Sequence, residues 1–272
     1  MRRDQRLVDL FIAGYNKQFG TNFKVVERPD ETNRAMPAIE AIAHDPRVGS
    51  FAIEHTLVQP FMGEKEDNQR FNAAIACLER DVALRVPGHM IMVSTRVGAI
   101  PKGKRIDWDD VGNTVEKWFE GVKDGLPEGG SVHSVPNLPF LLEVSLTKKK
   151  MRPEVAALFV MRTGMPDDFG QVVRRALETK LPKLTSTPAD KRALLLEMDS
   201  APRSPFEVGD QIGLLQQEFP HLREVDEAWC ALTLAWETEG IVHFFLVWPQ
   251  ADNVWFEAAE PSCKGSSELT NQ

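Results

Sequence analysis

The chain has 272 residues, 42% hydrophobic and 26% charged, with a formal net charge of −8. That balance supports a sizeable buried core and places the chain among ordinary globular proteins, while its acidity argues against broad nonspecific affinity for nucleic acid. Three widely spaced cysteines, Cys77, Cys230 and Cys263, exclude a disulfide scaffold or zinc site, and no apolar run is long enough for a membrane span.

The first helix is expected over residues 3–18, where Leu7, Leu10, Phe11, Gly14 and Tyr15 recur at three and four residues. Residues 38–43 and 50–58 read as strands, and Asp45-Pro46 and Gly49 between them carry turn chemistry, so a hairpin is expected. A helix over residues 64–84 follows, with Phe71, Ile75, Leu78 and Val82 on one side, then a strand over 90–97 and a helix over 108–122. A Pro/Gly-rich link over 125–136 precedes strands at 138–146 and 155–161, read as a pair joined by a basic turn. The last third alternates a helix over 167–182, a strand over 192–198, a helix near 206–219, and strands over 228–235 and 241–248. Such mixing points to an α/β or α+β class. Residues 259–272 are polar and aperiodic and are expected to be a disordered tail.

Acids interrupt the apolar runs of the first hairpin. Alternation along 50–58 puts Ala52, Glu54, Thr56 and Val58 on one face and Phe51, Ile53, His55 and Leu57 on the other. Glu40 lies on the partner run, and a suitable register brings its carboxylate beside that of Glu54. A carboxylate inside such a run must face solvent, be paired or bind a cation, because burying it alone costs several kcal/mol. A water-facing edge is the competing reading for each acid. His55, pointing the other way, is expected to make a structural hydrogen bond.

The order of helix, strand, acid, turn and strand with Glu54-His55-Thr56 resembles the PD-(D/E)XK nuclease-like superfamily, the restriction-endonuclease-like fold, in its degenerate bacterial forms. The resemblance implies a mixed sheet flanked by helices, with a core of residues 1–60 plus 165–248 and a large insertion over 62–163, all within one elaborated domain of residues 1–258. It further implies a Mg²⁺ (or Mn²⁺) site held by Glu54 together with Glu40 or Asp30. Thr56 stands where the superfamily has a lysine, and a hydroxyl can orient a water but cannot stabilise a pentacovalent phosphate by charge. Related folds place a helix over the site, so Lys180 on the 167–182 helix is the expected migrated lysine. Arg174, Arg175 and Lys183 on the same helix form the expected nucleic-acid-binding strip.

Other motifs are weaker. Gly98-Ala-Ile-Pro-Lys-Gly-Lys104 has phosphate-loop spacing but lacks the following Ser or Thr, so a basic hairpin is expected there. Glu143 reads as an edge-strand residue, and Glu197 with Asp199 as acids capping a turn after a core strand. Two functions follow from these residues: magnesium-dependent hydrolysis of DNA phosphodiesters, or a catalytically silent nuclease-like module that binds nucleic acid or a protein partner. The reading carries no membrane partner, a cytoplasmic location and no cleaved leader.

Overall fold

The computed structural model describes residues 2–32, 38–103, 105–200, 203–249 and 254–260. Helix α1 (Arg3–Phe19) leads into β1 (Lys24–Glu27), a four-residue helix α2 (Pro29–Thr32), and the hairpin strands β2 (Ala41–Asp45) and β3 (Gly49–Leu57). Then come α3 (Glu64–Ala74), α4 (Cys77–Arg80), β4 (His89–Arg96), α5 (Trp108–Val122), β5 (Gly129–Ser134), β6 (Glu143–Lys150) and β7 (Ala156–Thr163). The chain continues through α6 (Phe169–Ser186), β8 (Lys191–Met198), α7 (Pro205–Leu215), β9 (Glu227–Leu232), α8 (Trp236–Glu239), β10 (Ile241–Trp248) and β11 (Trp255–Ala259). Two compact units result, residues 1–62 with 168–272, and residues 63–167. Both are mixed α/β, and no helix among the described residues is long and apolar enough to cross a membrane.

The first unit is built on a seven-stranded sheet in the order β1-β2-β3-β8-β9-β10-β11. β1, β2 and β3 are antiparallel neighbours, whereas β3, β8 and β9 run parallel. β8 and β9 are each entered through a crossover, and the centre of β8 is an apolar run because both its faces are covered: Leu194, Leu195 and Leu196 are all at 0% exposure. Helix α1 covers one face, packing Leu7, Phe11 and Tyr15 with Phe51, Ile53, Leu195 and Trp229. The helix approaches β11 so closely that a side chain at Gly14 would meet the Phe256 ring at 2.5 Å, and it stops at Gly20, whose φ of +66° suits glycine. Helices α6 and α7 cover the opposite face, where Val173, Leu177, Val208 and Ile212 pack with Ala52, Val58, Leu194 and Leu196.

The second unit has a four-stranded sheet ordered β5-β6-β4-β7, over which α3 and α5 bury Phe71, Val111, Val115 and Phe119 against Ile91, Val93 and Leu146. Among its described residues the two buried charges, Asp67 and Lys148, are held by polar partners. Asp67 accepts from Arg70, Arg162 and the Gly98 amide, and the Lys148 ammonium donates to the carbonyls of Lys123, Asp124 and Leu126, matching a cation to a helix C-terminus.

Several expectations are corrected here. The helix expected over 64–84 breaks at Ile75 into α3, α4 and the 3₁₀ turn Val82–Leu84, which lets Ile75, Leu78 and Leu84 all reach one core. The strands on either side of the basic turn do not pair with each other, because β4 lies between them, antiparallel to β6 and parallel to β7. The Pro/Gly-rich link contains β5, an edge strand whose largely exposed pattern hides it from periodicity. The 167–182 helix runs on through Pro182 to Ser186. At the chain end, Ala259 pairs with Ile241 and the Glu260 amide donates to Gly240, so these two residues are held on the sheet rather than disordered; the rest of 259–272, with Cys263, lies outside the described residues, as does Lys104.

Candidate functional site

Antiparallel pairing of β2 with β3 ends with Ala41 opposite Ile53, and Glu40 is the residue just before that last pair, as Glu54 is the residue just after it. Glu54 leaves the sheet on the α6 face with Ala52 and Val58, and Glu40 is close enough to feel its charge. Glu54 is entirely buried. An isolated carboxylate there would carry a large desolvation cost, which the fold offsets with lysines from the covering helix. Lys180 Nζ lies 2.6 Å and Lys183 Nζ 3.6 Å from Glu54 Oε1. Spacing of three residues puts both lysines on one side of α6, and this is why continuation of the helix past Pro182 matters for the site.

Neither lysine hydrogen-bonds the second oxygen. Glu54 Oε2 is buried without a hydrogen-bond partner, and so are Glu40 Oε2 and Asp30 Oδ1. Unmatched buried acceptors of this kind are rare and costly in a finished core. Burial, followed by the charges of Glu54, Asp30 and Asp4, holds the Glu40 carboxyl above the usual carboxylate range.

The start of α1 completes the group. Asp4, in its first turn, joins Asp30 and Glu40 with one carboxylate oxygen each, all within 4.8 Å of one another. Arg2 Nη2 sits 3.1 Å from Asp4 Oδ2 and 3.6 Å from Glu40 Oε2, and hydrogen-bonds Asp30 Oδ2. Four carboxylates thus face three cationic side chains. Glu54 stands outside the triple of Asp4, Asp30 and Glu40; it is tied to the lysines, and its charge acts on Glu40.

No known family model, curated protein or solved structure matches this chain. The site must therefore be read from its own chemistry. The donor set is all carboxylate oxygen, which suits hard cations such as Mg²⁺ and Mn²⁺, and the oxygens of Asp30, Glu40 and Glu54 that accept no hydrogen bond are ones such an ion would satisfy.

Of the residues singled out from sequence, the fold brings Asp30, Glu40, Glu54, Lys180 and Lys183 to one place. Thr56 shares the face of Glu54, two residues further along β3 and partly buried. Lys183 was expected on a nucleic-acid strip and instead turns to Glu54. Arg174 pairs with Glu218, with Nη2 3.0 Å from Oε1, and Arg175 is exposed on the outer side of α6. Arg2 and Asp4 are the residues that sequence reasoning missed. An acid in the first turn of a helix reads as complementing the helix dipole, so Asp4 gave no distinguishing signal.

The opposite face of the same strands carries a second polar group. His55 Nε2 lies 3.1 Å from Glu197 Oε2, while Arg3 Nη2 and Thr233 Oγ1 each donate to Glu197 Oε1 at 3.0 Å. Glu197 is 4% exposed within β8 and caps no turn, which corrects the expectation for it. Burial works to raise its pKa, but the His55 hydrogen bond and the charges of His55 and Arg3 outweigh that and hold the carboxyl below the usual range.

Proposed function

We propose that the first unit is a divalent-metal-dependent phosphodiester hydrolase acting on DNA, built on a restriction-endonuclease-like core. The observation that carries this reading is Glu54, wholly buried, close enough to Glu40 for its charge to be felt there, and held by Lys180 from the helix that covers the hairpin. The order α1, three antiparallel strands, α6 and a strand parallel to the third supports the fold assignment, as does the position of α6 over the Glu54 face.

Asp30, Glu40 and Glu54, extended by Asp4, are the residues that would hold Mg²⁺ or Mn²⁺. When bound, such an ion supplies Lewis-acid activation of water and neutralises charge on the phosphoryl oxygens. The chain's own groups provide the rest. Lys180 brings from α6 the positive charge that Thr56 cannot supply, and Lys183 adds a second cation beside it. The Thr56 hydroxyl, on the Glu54 face, can orient a water by donating and accepting one hydrogen bond each. Arg175, with Arg174 once released from Glu218, gives the outer side of α6 a track for the DNA backbone. Wide separation of the cysteines, without the spacing of a disulfide scaffold, supports a reducing cytoplasm.

The test is cleavage of supercoiled and single-stranded DNA in Mg²⁺ or Mn²⁺ by the native chain, Glu54→Gln and Lys180→Met, with folding of each variant checked by circular dichroism. Metal-dependent cleavage that chelator abolishes, and that falls roughly 100-fold or more in both variants, is expected. Cleavage unchanged in Glu54→Gln would overturn the assignment. No cleavage, joined to salt-sensitive DNA binding, would establish the silent binding module that Thr56 at the lysine position favours.

A further inference from the structure

Arg2 occupies an unusual place in the acid cluster, because one nitrogen is the shared partner of three carboxylates. Its Nη2 contacts Asp4, Asp30 and Glu40 together, and those are the three residues whose oxygens converge within 4.8 Å. The guanidinium is thus a cation in the position a metal shared by these acids would take. It does not satisfy them. A planar fork donates only along its N–H directions, and Asp30 Oδ1, Glu40 Oε2 and the fully buried Glu54 Oε2 remain without hydrogen bonds.

Exposure differs sharply across the cluster. The Arg2 side chain is 48% exposed, whereas those of Asp30 and Glu40 are 18% and 16% exposed. The cation can therefore return to water at small cost while the carboxylates stay fixed by the fold. We propose that Arg2 is an exchangeable counter-ion that keeps the carboxylate cluster assembled until a divalent cation displaces it. This rests on the metal-site reading above and adds its regulation. Once displaced, the guanidinium stays tethered at the start of α1, beside the site, where its paired donors match the oxygens of a phosphodiester.

The test uses the whole chain and Mn²⁺ alone, with free ion followed by electron paramagnetic resonance, in the native protein, Arg2→Gln and Arg2→Lys. The Arg2 backbone amide donates to Gln5 Oε1 at 3.1 Å, a bond that side-chain substitution leaves in place, so the first turn of α1 is retained. Arg2→Gln should bind Mn²⁺ roughly tenfold more tightly, the scale of removing one competing, partly exposed ion-pair group. Arg2→Lys, which keeps the charge, should stay near the native affinity. Native binding with equal or weaker binding by Arg2→Gln would overturn the exchange while leaving the metal site standing. Absence of Mn²⁺ binding in all three proteins would overturn both.

Discussion

Consecutive residues of β3, Glu54 and His55, lead to two polar groups on opposite faces of one sheet, and the groups differ in how completely they are satisfied. Around Glu197 both carboxylate oxygens have hydrogen-bond partners, from Arg3, Thr233 and His55, and the carboxyl is held below its usual range. Around Glu54 and Glu40 three buried oxygens accept no hydrogen bond, and burial, followed by like charge, holds Glu40 above its usual range. A saturated network of buried polar groups fixes structure, whereas an unsaturated one costs stability and persists where a ligand completes it. The comparison teaches that burial and charge alone do not identify a site. What separates the two faces is unmet bonding capacity.

The contrast can be broken from either face. The largest expected effect is on the lysine side: Lys180→Met leaves Glu54 buried beside only the more distant Lys183, and should cost about 3 kcal/mol of unfolding free energy in urea. Glu197→Ala removes hydrogen bonds to His55, Arg3 and Thr233 together, and a loss of about 2–3 kcal/mol is expected by the same titration. Thr233→Val takes away one donor from that carboxylate and should cost about 1 kcal/mol. Glu40→Gln has the opposite sign. Relieving repulsion from Glu54, Asp30 and Asp4 should stabilise the metal-free protein at pH 7 by roughly 0.5–1 kcal/mol, so a destabilised variant would show that the cluster is not strained by charge.

Acid titration sharpens the same distinction. Because the folded-state pKa of Glu197 lies below the usual carboxylate value, its contribution is present at neutral pH and is lost as pH falls through that folded value. Native stability should drop more steeply below about pH 4.5 than that of Glu197→Gln. Parallel curves would mean that the His55 and Arg3 contacts contribute nothing to folding.

Much of the first unit was legible in the sequence because its signals are periodic and local. Helix α1 was marked by its apolar stripe, β3 by alternation, and the hairpin by Asp45-Pro46 and Gly49, which is at a φ of +105° and too close to the Asp190 carboxylate for a side chain. The approach of Glu40 to Glu54 depended on register, which only the fold sets. Strand β5 was hidden because an exposed edge needs no alternation, and the break at Ile75 because both halves of the expected helix keep apolar residues at helical spacing. Arg2 and Asp4 stayed hidden for another reason: they join the site through long-range packing of α1 on the sheet, and no local pattern records that. Lys180 and Lys183 were both singled out from sequence, Lys183 for the strip, and its approach to Glu54 depends on the helix continuing beyond Pro182.

The central claim is that the unsaturated face is completed by a divalent cation, and thermal unfolding in chelator against millimolar Mg²⁺ or Mn²⁺ tests it directly in the native chain and in Asp30→Asn/Glu40→Gln. A ligand bound only to the folded state raises the melting temperature by mass action. The account predicts a metal-dependent rise of several degrees in the native protein that disappears in the double variant. An unchanged melting temperature in both metals, or an equal rise in both proteins, would contradict it.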